Sequence, residues 1–227
     1  MNLLAFDTCF NACSVAIGVE GAGAVQTVVS RFEPMVTGQA ERLLPMISQC
    51  LAQAKLAMAD IGKIAVTTGP GTFTGTRIGI SAAKGLALVN RTPVVGLSSL
   101  HLMARQAALA APQSRDIGVA IDVRRDEVYL QLFDNAGLAA KTAPLLLSLP
   151  QARDLARSSQ ALWAGSGAAL VADNQILSCM TTESLLPDAR YAVDLLNACS
   201  LPEAEVSPIY LRAPDAKPSS VPALQRQ

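Results

Sequence analysis

A glycine- and threonine-rich segment is the first candidate for chemistry in this sequence. Residues 69–77 read Gly-Pro-Gly-Thr-Phe-Thr-Gly-Thr-Arg, and an apolar helical pattern follows them. Backbone N–H groups in such a segment can bind a phosphate group at the start of a helix. No Gly-Lys-Ser/Thr follows at the spacing of a Walker loop. The segment is therefore either a phosphate-binding loop or a tight strand-to-helix turn capped by Thr74 or Thr76.

Two aspartates, Asp7 and Asp122, each end a short apolar run. In actin-like ATPases, an Asp in this position holds a magnesium ion or the attacking water. The glycine expected two positions later is missing after Asp7, because Cys9 occupies that position. Each Asp can instead end its strand and cap a turn, and Arg124 and Arg125 can pair with Asp122. The nucleotide-binding prediction comprises Asp7, Thr8, Gly69, Gly71 and Thr72.

The remaining residue types give little support for other catalysis. His101 is the single histidine, so a metal site with two His ligands cannot form within one chain. A Ser-His-Asp triad would also need His101, and no G-x-S-x-G motif is present. The five cysteines include no C-x-x-C pair, which argues against a structural zinc site and a disulfide framework. We expect no catalytic residue, bound metal or cofactor in this chain.

Charge and hydropathy narrow the classes of partner. The 18 Lys and Arg balance the 18 Asp and Glu, whereas nucleic-acid binders usually carry a basic excess. Hydrophobic residues make up 51% of the chain, which indicates apolar surface covered by another chain. No apolar run approaches the ~18 residues of a membrane span, and the first residues lack a signal peptide's basic region. We expect a soluble, cytoplasmic protein with no membrane partner.

Hydrophobic periodicity predicts an α/β chain whose second part repeats the plan of the first. Three strands precede an alternation of helices and strands, and a new apolar run ending in Asp begins at residue 117. The predicted strands are 3–7, 14–19, 24–30, 64–66, 93–97, 117–122, 127–133 and 161–164. The predicted helices are 39–56, 74–89, one that begins at residue 98 or 99, and 187–199.

This plan predicts a duplicated actin-like, sugar kinase and Hsp70 (ribonuclease H-like) fold, with two similar domains and mixed sheets. We expect an N-terminal domain over residues 1–110 that carries the partner-binding helices. The C-terminal domain would span residues 111–227, with its tail packing back on the first domain. Helix 39–56 shows apolar residues on more than one stripe, and helix 74–89 is apolar on nearly every side.

Four segments resemble the TsaB (YeaZ) family. They are residues 5–16, 41–47, 69–87 and 121–129. The glycine-rich segment is the most specific of them, and the match after residue 130 is loose, ending at residues 208–212. One departure is visible, because Gln39-Ala40 replaces the His-Ser or His-Thr pair that this family has before its first helix.

The resemblance implies a non-catalytic subunit that binds and activates its paralogue TsaD. With the ATPase TsaE, they would transfer threonylcarbamoyl to adenosine 37 of tRNAs reading codons that begin with A. ATP or ADP and a metal ion would belong to the partner subunits, tRNA would bind only through the complex, and the isolated chain would form a homodimer. The implied partner interface comprises Glu41, Arg42, Leu44, Ile47, Leu51, Thr76, Ile80 and Lys84.

Two other classes of function stay open. One is a stand-alone enzyme, either an actin-like nucleotide hydrolase or a peptidase. The other is a purely structural homodimer.

Overall fold

The computed structural model describes residues 1–21, 25–110, 115–172, 179–180, 185–198 and 206–212. Its first sheet contains β1 (Asn2–Asp7), β2 (Ala12–Glu20), β3 (Val25–Pro34), β4 (Ile61–Gly69) and β5 (Val94–Ser98). Its second sheet contains β6 (Ile117–Asp122), β7 (Glu127–Phe133), β8 (Leu145–Ser148), β9 (Leu162–Ala164) and β10 (Cys179–Met180). The helices are α1 (Gln39–Ala54), α2 (Phe73–Asn90), α3 (Ser99–Ala110), α4 (Leu149–Ser159), α5 (Ala168–Ala172) and α6 (Arg190–Ala198).

The two sheets have the same topology. The first has the order β3-β2-β1-β4-β5, and the second has the order β10-β9-β6-β7-β8, which is the same order written from the other edge. In each, an antiparallel meander of three strands is followed by two strands that pair in parallel. The predicted repeat of mixed sheets is confirmed.

The helices and sheets form alternating layers. Helices α1 and α2 cover the outer face of the first sheet, and α4 and α5 cover the outer face of the second. Helices α3 and α6 lie between the sheets and contact each other. Each sheet is therefore covered by helices on both faces. Strands with near-continuous apolar sequences require such cover.

Each helix of the middle layer packs on the sheet formed by the other part of the chain. Helix α3 follows the first sheet in sequence, but its Leu100 and Met103 pack in the core of the second sheet. Helix α6 follows the second sheet, but its Val193 and Leu195 pack on the first sheet. The amide of Asn197 exchanges two hydrogen bonds with the backbone of Val25 in β3, at 3.1 and 2.6 Å. Each sheet is thus completed by a helix from the other part of the chain.

Several predicted elements differ from the structure at their ends. β3 and β4 extend beyond the predicted residues 24–30 and 64–66, whereas α1 ends two residues before the predicted residue 56. The predicted start of β3 at residue 24 and the predicted end of α6 at residue 199 lie outside the described residues. The predicted domain limit at residues 110 and 111 adjoins residues that are not described, and this division stays a prediction. None of the helices in the described part of the chain has the length and hydropathy of a membrane-spanning segment.

Candidate functional site

A cleft opens where the turns of the two meanders face each other. Its cavity has a volume of about 480 Å³. One wall is formed by Phe10 and Asn11 after β1 and by Gly71 and Thr72 before α2. The opposite wall is formed by the other polar and aromatic side chains that line the cavity: Asp122, Arg124, Tyr129, Ser166 and Arg212. The volume and the mixture of aromatic and polar side chains are those of a small-molecule pocket.

The glycine-rich segment is a tight turn between β4 and α2. Thr72 caps α2, because its hydroxyl accepts a hydrogen bond from the N–H of Gly75 at 3.1 Å. The prediction that Thr74 or Thr76 is the cap is wrong. The N–H of Thr72 donates to the carbonyl oxygen of Cys9 at 2.7 Å, so one possible phosphate donor is already used.

Close backbone packing explains the glycines of this turn. A Cβ added at Gly75 would lie 2.0 Å from the carbonyl oxygen of Thr8, and one added at Gly71 would lie 2.5 Å from that of Cys9. The hydroxyl of Thr8 donates to the carbonyl oxygen of Gly75 at 2.7 Å. The glycines thus let α2 begin directly against the β1–β2 turn. This geometry corresponds to the strand-to-helix interpretation of the segment.

Asp7 lies beneath the cleft rather than in its wall. Its carboxyl group is fully buried and accepts hydrogen bonds from the hydroxyl of Thr67 at 2.5 Å and from the N–H of Cys9 at 3.3 Å. Burial raises the pKa of Asp7 to about 7, although both hydrogen bonds act to lower it. The Cys9 thiol contacts the same Thr67, and burial raises the pKa of this thiol as well, which disfavours the reactive thiolate form.

Asp122, the counterpart of Asp7 in the second sheet, has a different environment. Its side chain is exposed at the cleft, and its Oδ1 accepts a hydrogen bond from the backbone N–H of Arg124 at 2.8 Å. Its own N–H donates to the hydroxyl of Ser166 at 3.1 Å. Arg124, Arg125 and Asp126 all have positive φ angles between 55° and 64°, which gives the β6–β7 turn its sharp shape. Asp122 therefore caps this turn, as an Asp after a strand often does.

The residues of the cleft do not fit a magnesium-bound nucleotide. Among the described side chains that line the cavity, Asp122 is the one carboxylate, and Asp7 is buried away from it. The described residues include no group of three or more His, Cys, Asp or Glu that could hold a metal ion. Of the five residues of the nucleotide-binding prediction, Gly71 and Thr72 reach the cavity. Asp7, Thr8 and Gly69 do not line it, and nucleotide binding stays a prediction.

His101 and Gln39 have structural contacts. The Nε2 atom of His101 lies 2.8 Å from the carbonyl oxygen of Leu138, and its ring lies against Phe133. Burial lowers the pKa of His101. The side-chain amide of Gln39 donates to the carbonyl oxygens of Phe10 and Met35 at 3.2 and 3.3 Å. Gln39 therefore fixes the start of α1 against the β1–β2 turn.

The exposed face of α1 and α2 forms a second candidate site. Glu41 and Leu44 are exposed on α1, and Lys84 and Leu88 are exposed on α2. Leu44 is 51% exposed and Leu88 is 81% exposed, which is unusual for large apolar side chains. Arg42 is half-buried in an ion pair with Glu33. We define the docking face as Glu41, Leu44, Lys84 and Leu88.

Four residues of the predicted interface belong to the core of this chain. Ile47 and Leu51 of α1 and Ile80 of α2 lie in one apolar cluster with residues of the first sheet. Thr76 is 1% exposed, and its hydroxyl contacts the sulfur of Cys9 at 3.6 Å. The prediction that these side chains form a surface is wrong. Helical periodicity identifies two apolar stripes but does not tell which of them faces the sheet.

The structure also reveals a side-chain cluster that the sequence analysis missed. Phe73 and Tyr210 stack with their ring centroids 5.5 Å apart. The guanidinium of Arg77 lies 3.7 Å from the centroid of the Phe73 ring. The spacing of Phe73 and Arg77 places them on neighbouring turns of α2. No local signal predicts the third member, because Tyr210 is 133 residues from Arg77.

Comparison with known proteins identifies relatives over most of the chain. The model of a family described as "TsaD: tRNA N6-adenosine threonylcarbamoyltransferase" matches residues 34–161. A Haemophilus influenzae protein is 30% identical over 93% of this chain and 94% of its own length. An Escherichia coli protein is 41% identical over 57% of this chain and 53% of its own length, about half of that relative. Both are described as tRNA threonylcarbamoyladenosine biosynthesis protein TsaB.

Two solved structures are similar to this chain in both fold and sequence. A crystal structure from Pseudomonas aeruginosa, of a protein described as similar to peptidase YEAZ, has a TM-score of 0.78. It is 30% identical, and the match covers 93% of this chain and 99% of the other. A second structure, described as YeaZ from Pseudomonas aeruginosa, has a TM-score of 0.76 and the same identity.

The duplicated sheets and the cleft between their meanders define an actin-like α/β protein of the Hsp70 and sugar kinase class. This confirms the predicted fold class. Within that class, the chain belongs to the TsaB (YeaZ) family, as its relatives with matches over nine-tenths of both chains show.

Proposed function

We propose that this chain is an accessory subunit in the biosynthesis of threonylcarbamoyladenosine in tRNA. In this proposal it binds TsaD and activates the transfer of threonylcarbamoyl to adenosine 37 of tRNAs that read A-starting codons. TsaE, ATP or ADP, and the metal ion belong to the assembled complex, and tRNA is reached through that complex. The family of the chain and the biosynthetic role in the names of its relatives support the proposal.

The docking face is the observation that carries the proposed association. It presents exposed apolar side chains on two long neighbouring helices that pack against each other. Exposed leucines of this kind mark protein interaction sites when they lie together on one face. The positive Lys84 and the negative Glu41 are exposed on the same two helices, and charged residues of this kind are typical of the polar rim of an interface.

The proposed partner has a related fold. The family model that matches residues 34–161 is that of TsaD, so the helices corresponding to α1 and α2 are expected in TsaD as well. Two helices from each subunit would then bury the docking face in a four-helix contact. The same self-complementary geometry allows a second copy of this chain to bind instead, which is the basis for proposing a homodimer of the isolated protein.

The environment of the cleft supports an accessory rather than a catalytic role. Asp7, the residue placed best by sequence for holding magnesium, is buried and hydrogen-bonded to Thr67 and Cys9. Of the residues that the structure describes, the wall of the cavity supplies one carboxylate, that of Asp122. In this proposal the transfer reaction therefore uses the active site of TsaD.

The experiment measures binding to purified TsaD from the same organism by titration calorimetry, and the modification of tRNA with and without this chain. Leu44→Glu and Leu88→Glu each place a charge on the docking face. We expect each variant to weaken binding at least about 100-fold, because an unpaired buried charge costs several kcal/mol. Modification by the mixture should fall in parallel.

Leu109→Glu is the matched control, because Leu109 is an exposed leucine at the end of α3, away from the docking face. It should bind TsaD as the unchanged chain does. A circular-dichroism melt verifies that all three variants are folded. Unchanged binding by both docking-face variants would place the interface elsewhere, and full tRNA modification by TsaD without this chain would refute the accessory role.

A further inference from the structure

Residues 206–212 run along the chain's surface from the first sheet to the turn of the second meander. Val206 is buried in the core cluster of the first sheet. The N–H of Ile209 donates a hydrogen bond to the carbonyl oxygen of Thr68 in β4 at 2.8 Å. This segment, which we call the strap, therefore begins as an addition to the first sheet although it lies more than 100 residues later in sequence.

One anchor of the strap lies on α2. Arg77 donates from Nε to the hydroxyl oxygen of Tyr210 at 2.7 Å, and the Tyr210 ring stacks on Phe73. Because the Arg77 guanidinium also covers the Phe73 ring, three side chains hold one another in place. A hydrogen bond, a ring stack and a cation–π contact together make this a stronger anchor than an exposed ion pair.

The other anchor lies on the β6–β7 turn. Arg212 donates from Nη1 to the carbonyl oxygen of Val123 at 3.2 Å, and its Nη2 forms an ion pair with Glu127. These two partners are the residues that flank the three left-handed residues of the turn. The Arg212 side chain is 25% exposed, so the pair is partly shielded from water. The same side chain lines the cleft.

We propose that the strap is a mechanical link that ties the start of α2 to the β6–β7 turn and so sets the opening of the cleft. Only Leu211 separates the residues of its two anchors, and such a short segment spans about 7 Å when extended. Because the strap cannot lengthen beyond this span, the turn can move away from α2 only if an anchor side chain changes its conformation or an anchor contact breaks. A displacement of the first turns of α2 therefore changes the opening of the cleft. This inference concerns the isolated chain and does not rest on the proposed function.

The test is hydrogen–deuterium exchange on the isolated chain. In Arg77→Ala, the anchor on α2 is removed, and we expect the amides of residues 123–127 to exchange about fivefold faster although they lie on the other sheet. Arg212→Ala removes the anchor on the β6–β7 turn. We then expect faster exchange at the other end of the strap, at the Ile209 amide. Ser81→Ala is the control for Arg77→Ala, because Ser81 is an exposed residue of the same helix outside the docking face, and no hydrogen bond joins it to the strap among the described residues.

The exchange rate of the amides in the β6–β7 turn shows whether the strap links the two sheets. If Arg77→Ala accelerates exchange in α2 and the strap but leaves residues 123–127 within about twofold of Ser81→Ala, the strap is a local packing element and the inference fails. Should Arg77→Ala not fold, Tyr210→Phe removes the hydroxyl and keeps the ring stack. The same acceleration at residues 123–127 is then required, and its absence overturns the proposal.

Discussion

Asp7 illustrates how burial removes a residue from the chemistry that its sequence position suggests. The apolar run that precedes it and its counterpart at Asp122 were visible in the sequence, and they predicted the ends of two equivalent strands. What could not be predicted is the cover over Asp7, because Thr67 lies 60 residues away in sequence. The two aspartates thus occupy corresponding positions but have opposite exposures.

The raised pKa of Asp7 predicts a pH-dependent stability. Its ordinary value is 3.8 and its value in the folded chain is about 7, so the folded state binds the proton more tightly. The free energy of unfolding contributed by this group is therefore full below pH 4 and is lost as the pH rises to 7. Asp7→Asn cannot ionise and should be more stable than the unchanged chain at pH 8, by about 4 kcal/mol at most.

Urea unfolding at pH 4.5, 6 and 8 checks this prediction. The difference between Asp7→Asn and the unchanged chain should grow with pH and level off above pH 7. Cys13→Ala serves as a control, since it alters another buried side chain on the neighbouring strand and leaves the carboxyl group in place. Curves that stay parallel across the three pH values would contradict a raised pKa at Asp7.

Helix α2 is an element whose position the sequence predicts but whose surroundings it does not. Its position was predicted within one residue at each end, because Gly-Pro-Gly ends β4 and an apolar helical pattern follows. Its apolar composition predicts a helix covered in a core or in an interface, and the face with Lys84, Leu88 and Val89 is exposed in the single chain. The composition of α2 indicates a covered helix, but the described chain covers only part of it.

Two glycines of α2 should respond in opposite ways to the same substitution. Gly75→Ala places a Cβ 2.0 Å from a backbone oxygen and should destabilise the chain by about 1–3 kcal/mol. Gly85→Ala meets nothing within 4 Å and should stabilise the helix by about 0.5–1 kcal/mol. Thermal melts of the two variants check the pair. A similar gain in both would show that helix propensity, rather than contact with the β1–β2 turn, governs the two sites.

Elements with few large apolar side chains were harder to predict. β6 and β7 were predicted with their observed bounds, because strong apolar runs are set off by the turn between them. β8 and α4 were not predicted at all. Helix α4 is largely polar and buries only Ala152 and Ala156, so it lacks the run of large apolar side chains that predicted α1.

The whole molecule is held together by the exchange of α3 and α6 between the sheets. The matching strand patterns of the two parts predicted the duplication. The exchange could not be predicted, since an apolar face on α3 or α6 does not indicate which sheet it covers. The cores of the two sheets consequently share the middle layer, and the division at residues 110 and 111 stays a prediction.

A fragment of residues 1–110 tests this arrangement. Without α6, the first sheet exposes the apolar surface now covered by Val193 and Leu195, and α3 loses the sheet that covers Leu100 and Met103. We expect the fragment to lack a cooperative thermal transition. Adding the fragment of residues 111–227 should restore one. A cooperative melt of residues 1–110 alone, without self-association in sedimentation, would show that the first domain is self-sufficient.

The late position of α6 has a consequence for the order of events during synthesis. A ribosome releases β1 to β5 long before it releases residues 190–198, which together with α3 cover the inner face of that sheet. The nascent first sheet therefore waits with part of that apolar face open while about 100 further residues are translated, a delay of several seconds at ordinary elongation rates. During that interval the open face is a substrate for chaperones, and slow codons between β5 and α6 would lengthen the exposure and lower the yield of folded protein.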